Sequence, residues 1–112
     1  MSISYNGIGQ MAVTFPQDGC AEGAVCKLNA EGIAVACAAG ERPCGKVMYV
    51  DGEYAAVMLE GFARLNYSGS VPTYGWCKLS TNGNGGVKVD NTGTSYLVAE
   101  VDETTNTCVI KL

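Results

Sequence analysis

Lys46-Val47-Met48-Tyr49-Val50-Asp51-Gly52-Glu53-Tyr54-Ala55-Ala56-Val57-Met58-Leu59 is the stretch that decides the fold class. Two apolar runs flank an Asp-Gly pair, the signature of a short β-hairpin turn, because Asp and Gly tolerate the positive φ that such turns demand. Asp51 and Gly52 are expected to be its two central residues. In both runs the two alternating faces are apolar. Val47 and Tyr49 stand against Met48 and Val50, and Tyr54, Ala56 and Met58 against Ala55, Val57 and Leu59. A sheet with one wet side alternates apolar with polar. Two dry faces therefore imply that one packs inside the domain and the other meets a neighbouring subunit or the interior of a closed barrel. For so small a chain the subunit is the preferred reading, with Met48, Val50, Tyr54 and Met58 as the candidate interface.

Outward from this hairpin the pattern stays β. Short apolar runs bounded by turn residues are expected at 11–15, 24–28, 33–37, 62–65, 76–79, 86–89, 96–101 and 107–112. Asn29-Ala30-Glu31-Gly32 and Thr81-Asn82-Gly83-Asn84-Gly85 read as longer hairpin loops. No window sustains a helical stripe. The best helical candidate, 21–28, is weakened by Gly23 and the β-branched Val25.

A faint duplication runs through the chain. Displaced by 51 positions, residues 23–61 lie over 74–112. Cys26-Lys27-Leu28 then falls on Cys77-Lys78-Leu79, Gly32 on Gly83, Val47 on Val98, Val50-Asp51 on Val101-Asp102 and Val57-Met58-Leu59 on Cys108-Val109-Ile110. The expected organisation is all-β: a compact single-domain β-barrel or sandwich over 14–112, built from two similar units (23–61 and 74–112). Residues 62–73 connect the units, and residues 1–13 form an extended N-terminal arm. Half-domains of about 40 residues bury too little surface to stand alone, so the units are expected to share one core.

The 112 residues carry seven Lys+Arg against eleven Asp+Glu, a net charge of −4, and no histidine. Without a basic cluster, nucleic acid is not an expected partner. Without histidine, the commonest general base and metal ligand are missing. No run approaches the ~18 apolar residues of a membrane span, and the first residues lack the pattern of an export signal, so no membrane association and a cytoplasmic site of synthesis are expected.

In that compartment Cys20, Cys26, Cys37, Cys44, Cys77 and Cys108 read as reduced thiols. None of them forms a C-x2-C pair, so no metal site is expected. Cys26, Cys37, Cys77 and Cys108 lie in predicted strands as small buried hydrophobes. Cys20 and Cys44 lie near turns, more exposed, and are the pair expected to bond if a disulfide forms on ageing in air. Asp51/Glu53 and Asp102/Glu103 read as turn residues, and Asn82–Gly86 as a hairpin tip with no phosphate-loop context. Trp76, placed mid-strand, is expected to be buried. No catalytic residue, cofactor or metal ligand emerges, and an enzyme is the least favoured class.

The order of motifs is similar to a known family. Glu22-Gly23-Ala24-Val25-Cys26-Lys27-Leu28 is followed by Gly32-Ile33-Ala34-Val35-Ala36, Gly45-Lys46-Val47 and the hairpin Asp51–Val57. Then come Gly61-Phe62-Ala63, Tyr67-Ser68-Gly69 and the closing run from Tyr96 to Leu112. Over residues 12–112 this resembles the small capsid decoration proteins of tailed phages and prophages, with a more distant likeness to the head-stabilising protein of lambda-like phages. The resemblance implies a β-barrel-like homotrimer without a catalytic centre. Its partner would be the major capsid protein of the expanded head. It would be found in the bacterial host cytoplasm during assembly and then on the virion surface. A ligand- or glycan-binding module of a phage tail or fibre is the alternative. On the decoration reading, Ile3, Tyr5, Ile8 and Met11 of the uncharged N-terminal segment are candidate capsid contacts in an arm that orders on its partner.

Overall fold

A computed structural model describes residues 9–112, and every regular element in it is a strand. The strands are β1 Met11–Asp18, β2 Val25–Leu28, β3 Ala34–Ala36, β4 Gly45–Asp51, β5 Tyr54–Glu60, β6 Phe62–Ser68, β7 Gly75–Thr81, β8 Val87–Val89, β9 Thr94–Asp102 and β10 Thr107–Lys111. They close two five-stranded barrels. The first has the order β1-β3-β2-β4-β5 and is shut by β1 against β5. The second runs β6-β8-β7-β9-β10 and is shut by β10 against β6. The order is the same in both, strand for strand.

The duplication is therefore structural, and wider than the sequence shows. Residues 62–73 are not a connection. Phe62–Ser68 is the first strand of the second barrel, the counterpart of β1. Likewise β1 begins at Met11, so residues 11–13 of the segment read as an arm pair with β5. Ile3, Tyr5 and Ile8 lie outside the described residues. Val25 pairs with Lys46 and Cys26 with Gly45, as Trp76 pairs with Leu97 and Cys77 with Tyr96, which keeps the offset of 51. Between β4 and β5 the ladder skips Met48, and between β9 and β10 it skips Ala99. The same bulge stands at the same place in both repeats. Beyond the hairpin turn the offset is 53, because the second turn is two residues longer. Val57 thus corresponds to Ile110, not to Cys108.

The turns explain the difference. Asp51 pairs with Tyr54, so the central residues of the first hairpin are Gly52 and Glu53 rather than Asp51 and Gly52. Gly52 has a φ of 58° and Glu53 a negative one, which is the type with glycine in the first central position. In the second hairpin Asp102 pairs with Thr107, and its carboxylate accepts the Thr104 and Thr105 N–H groups at 2.9 and 3.3 Å. Asn106 closes that loop at a φ of 53°.

There are two packed interiors rather than one shared core. Cys26, Ala34, Val47, Ala55 and Val57 fill the first barrel, with Phe15, Cys20, Cys44, Val50 and Leu59 packed around them. Ala63, Leu65, Tyr67, Cys77, Leu79, Val87, Tyr96, Val98, Cys108 and Ile110 form the second cluster. Val25 and Met58 of the first barrel join that second cluster. The second dry face of the central hairpin is thus partly covered within the chain. Met58 points out of its own barrel and is buried against the other, and Val50 packs on the first interior. Met58 is therefore covered within the chain, and Val50 is half-buried. Met48 and Tyr54 remain exposed.

Candidate interaction faces and the cysteine cluster

The barrels meet through unlike surfaces. The first contributes the cross-strand row Val25–Lys46–Met58 on β2, β4 and β5. The Val25 N–H donates to the Gly85 carbonyl at 3.1 Å, and Lys46 Nζ to the Arg64 carbonyl at 2.8 Å. Residues 38–41 run beside Thr81. Gly40 N–H donates to the Thr81 carbonyl at 2.8 Å, Thr81 N–H to the Glu41 carbonyl at 3.0 Å, and Glu41 N–H to Thr81 Oγ1 at 2.9 Å. The Thr81 hydroxyl donates to the Ala38 carbonyl. These bonds satisfy backbone groups that would otherwise be left bare at the junction. Burial of the Lys46 ammonium beside Arg64 lowers its pKa.

The matching row on the second barrel is Trp76–Leu97–Lys111. Trp76 is 72 % exposed, against the expectation of burial. A mid-strand position does not say which way a side chain points. Here Cys77 and Leu79 point inward, so Trp76 and Lys78 point out. Beside Trp76 stands Tyr74, also exposed, whose hydroxyl accepts the Val101 N–H at 3.3 Å. A second exposed group comprises Met48, Tyr49 and Tyr54 at the first hairpin. The bulge at Met48 turns Tyr49 outward, onto the face that carries Tyr54.

Three of the six cysteines, Cys20, Cys26 and Cys44, crowd the interior of the first barrel, and Cys37 packs against that of the second. Cys26, Cys77 and Cys108 are buried, and Cys20, Cys37 and Cys44 are half-buried. The closest thiols are Cys26 and Cys44, with 3.9 Å between sulfurs and the Cys44 N–H on the Cys26 carbonyl at 2.8 Å. The Cys20 thiol instead donates to the Ala34 carbonyl at 3.2 Å. The thiol pair brought together is therefore Cys26 with Cys44, not Cys20 with Cys44. Their hydrogen bond splits the pair: it holds Cys44 down to about 7 and, together with burial, pushes Cys26 up. Burial raises Cys37 and Cys108 to about 11. Cys44 also lines a cleft of about 390 Å³ between the barrels, with Arg42, Pro43, Leu59, Tyr96 and Leu112. Among the described residues no group of three or more His, Cys, Asp or Glu side chains is arranged to hold a metal ion.

An ion pair braces the outer wall of the second barrel. Glu100, almost fully buried, meets Arg64, whose guanidinium also donates to Thr107 Oγ1 at 3.0 Å. Fold and surfaces together define an all-β tandem-barrel protein with apolar outer faces. No protein-family model matches the chain, and no curated protein is significantly similar to it.

Proposed function

We propose that the chain is a structural protein that decorates the outside of an expanded tailed-phage head and stabilises it by gripping the major capsid protein. The resemblance over residues 12–112 supports this reading. The observation that carries it is the exposed group Met48, Tyr49 and Tyr54, held on a bulged hairpin against a filled barrel. Large apolar and aromatic side chains on a rigid support are what a protein–protein contact uses, since little side-chain entropy is lost on binding. The test is co-sedimentation with expanded, undecorated heads. The wild type is expected to pellet with them, and Tyr49→Ser/Tyr54→Ser to remain in the supernatant with an unchanged melting temperature. A wild type that stays in the supernatant overturns the proposal. Removing residues 2–8 tests the arm in the same assay: lost binding with an unchanged melt assigns it to the capsid contact.

Trp76 and Tyr74 favour a second reading, a glycan-binding module, because sugars stack on open aromatic faces. A saturable change in Trp76 fluorescence on titration with host-surface oligosaccharides would support it, and a flat titration would remove it.

A further inference from the structure

Because the two barrels are repeats, the strand row and the loop-and-edge surface that meet at their junction each have a counterpart, whereas the bonds made by residues 38–41 and by the Lys46 ammonium do not. The row Val25–Lys46–Met58 is used, and its counterpart Trp76–Leu97–Lys111 is exposed at Trp76 and Lys111 and half-buried at Leu97. The opposing surface of the second barrel consists of the loop after β7 and the half-paired edge of β6. Among the described residues this strand meets β8 only through Tyr67 and Ser68, and Arg64, ahead of that pairing, offers the carbonyl that Lys46 takes.

The first barrel has the same surface. Among the described residues its β1 meets β3 only through Gln17 and Asp18, and Val13 and Thr14, both exposed, lie on the part of that edge that β3 does not pair. Its loop Asn29–Ile33 is built like Asn82–Gly86. The Asn29 side chain accepts the Glu31 and Ile33 N–H groups at 3.0 Å each, as Asn82 accepts those of Asn84 and Gly86 at 2.8 and 3.0 Å. Leu28 and Val13 are exposed there.

A contact between unlike surfaces leaves one of each kind open, and repetition of the contact joins copies head to tail. We infer that the Trp76 row of one chain docks on the Leu28–Ile33 face of a second copy and repeats the junction found inside the chain. The chemistry of both faces fits. Trp76, Tyr74 and Leu97 meet Leu28 and Val13, while Lys78 and Lys111 on one face stand opposite Glu31 on the other. The segment 38–41 has no equal in the second barrel, where only 90–93 separates β8 from β9. The contact is distinct from the hairpin group Met48, Tyr49 and Tyr54 and does not depend on a capsid.

The test is sedimentation of the purified full chain without heads, so its outcome is separate from that of the capsid proposal. The wild type is expected to associate. Trp76→Glu and Leu28→Glu are each expected to sediment as monomers with unchanged melts, both sites being exposed. Mixed in equal amounts, they are expected to form a dimer and nothing larger, because each supplies the intact face the other lacks. Trp76→Lys and Val13→Glu serve as the second pair should either first variant lose its cooperative melt. A wild type that is monomeric at every concentration, a single variant that still associates, or a mixture that stays monomeric overturns the inference.

Discussion

Val25 and Trp76 hold the same place in two copies of one barrel, and they meet opposite fates. Each pairs with the fourth strand of its barrel, Val25 opposite Lys46 and Trp76 opposite Leu97. Val25 is 2 % exposed because the second barrel covers it, and Trp76 is 72 % exposed because no described part of the chain covers it. The repeat is symmetric in fold and asymmetric in contact, and that asymmetry gives the chain two unlike free faces.

Cys44 is expected to be the first thiol alkylated by iodoacetamide near neutral pH, ahead of Cys37 and Cys108, which burial raises to about 11. The thiolate is the nucleophile, so its rate follows the charged fraction. Mass-spectrometric mapping against pH should place the Cys44 midpoint near 7. Cys26→Ala removes the donor and should move that midpoint up toward the ordinary 9.0. An unmoved midpoint would dissociate Cys44 from its neighbour.

The Arg64–Glu100 pair should respond unequally to its two partners' removal. Arg64→Met strands a carboxylate that is almost fully buried and is expected to cost about 3 kcal/mol. Glu100→Gln leaves a guanidinium that still reaches solvent and Thr107, and should cost about 1 kcal/mol. Urea titrations of both variants measure the difference; equal losses would refute the burial argument.

Stability should fall on the acid side. Asp90 accepts the Thr92 hydroxyl and N–H groups and the Ser80 hydroxyl, and these bonds hold its carboxyl down to about 2 from 3.8. Bonds to Thr104 and Thr105 lower Asp102 as well. A depressed carboxylate stabilises the fold above its unfolded pKa, and the benefit is lost as pH falls through the folded one. The melting temperature should therefore drop between about pH 4 and pH 2, and less steeply in Asp90→Asn. Parallel curves for the two proteins would count against this.

Gly86 is a packing glycine and Gly69 a conformational one. A Cβ at Gly86 would collide with the Asn66 carbonyl and side chain, whereas one at Gly69 meets open space, though at a φ of +76°. Gly86→Ala should cost up to about 3 kcal/mol by forcing β6 away from the loop. Gly69→Ala should cost about 1 kcal/mol, from backbone strain alone. Denaturant midpoints rank them, and a milder Gly86→Ala would contradict the contact.

Much of this molecule was legible in local pattern. All ten strands coincide with apolar runs between turn residues, because strand formation follows short-range alternation and turn chemistry. The repeat was visible at Cys26-Lys27-Leu28 and Val50-Asp51, where the offset is constant. It faded at β5, where a hairpin two residues longer moves the register, and at β1, where Val13 and Ala63 share a place with little else in common. The turn at Gly52 falls one residue later than the Asp-Gly pair suggests, since Asp-Gly and Gly-Glu compete for the same two positions.

The sequence by itself determined that the chain is all-β and duplicated, for both properties repeat locally in the order of residues. Tertiary structure alone decided which outward side chains are covered. Alternation separates the two faces of a strand but carries no record of what lies against the outer one. Met58 and Trp76 are both apolar and both outward. One is buried only because the second barrel follows Gly61 without a linker and folds back on the first. The proximity of Cys26 to Cys44 has the same origin: strand pairing across 18 residues set it, and no spacing in the chain announces it.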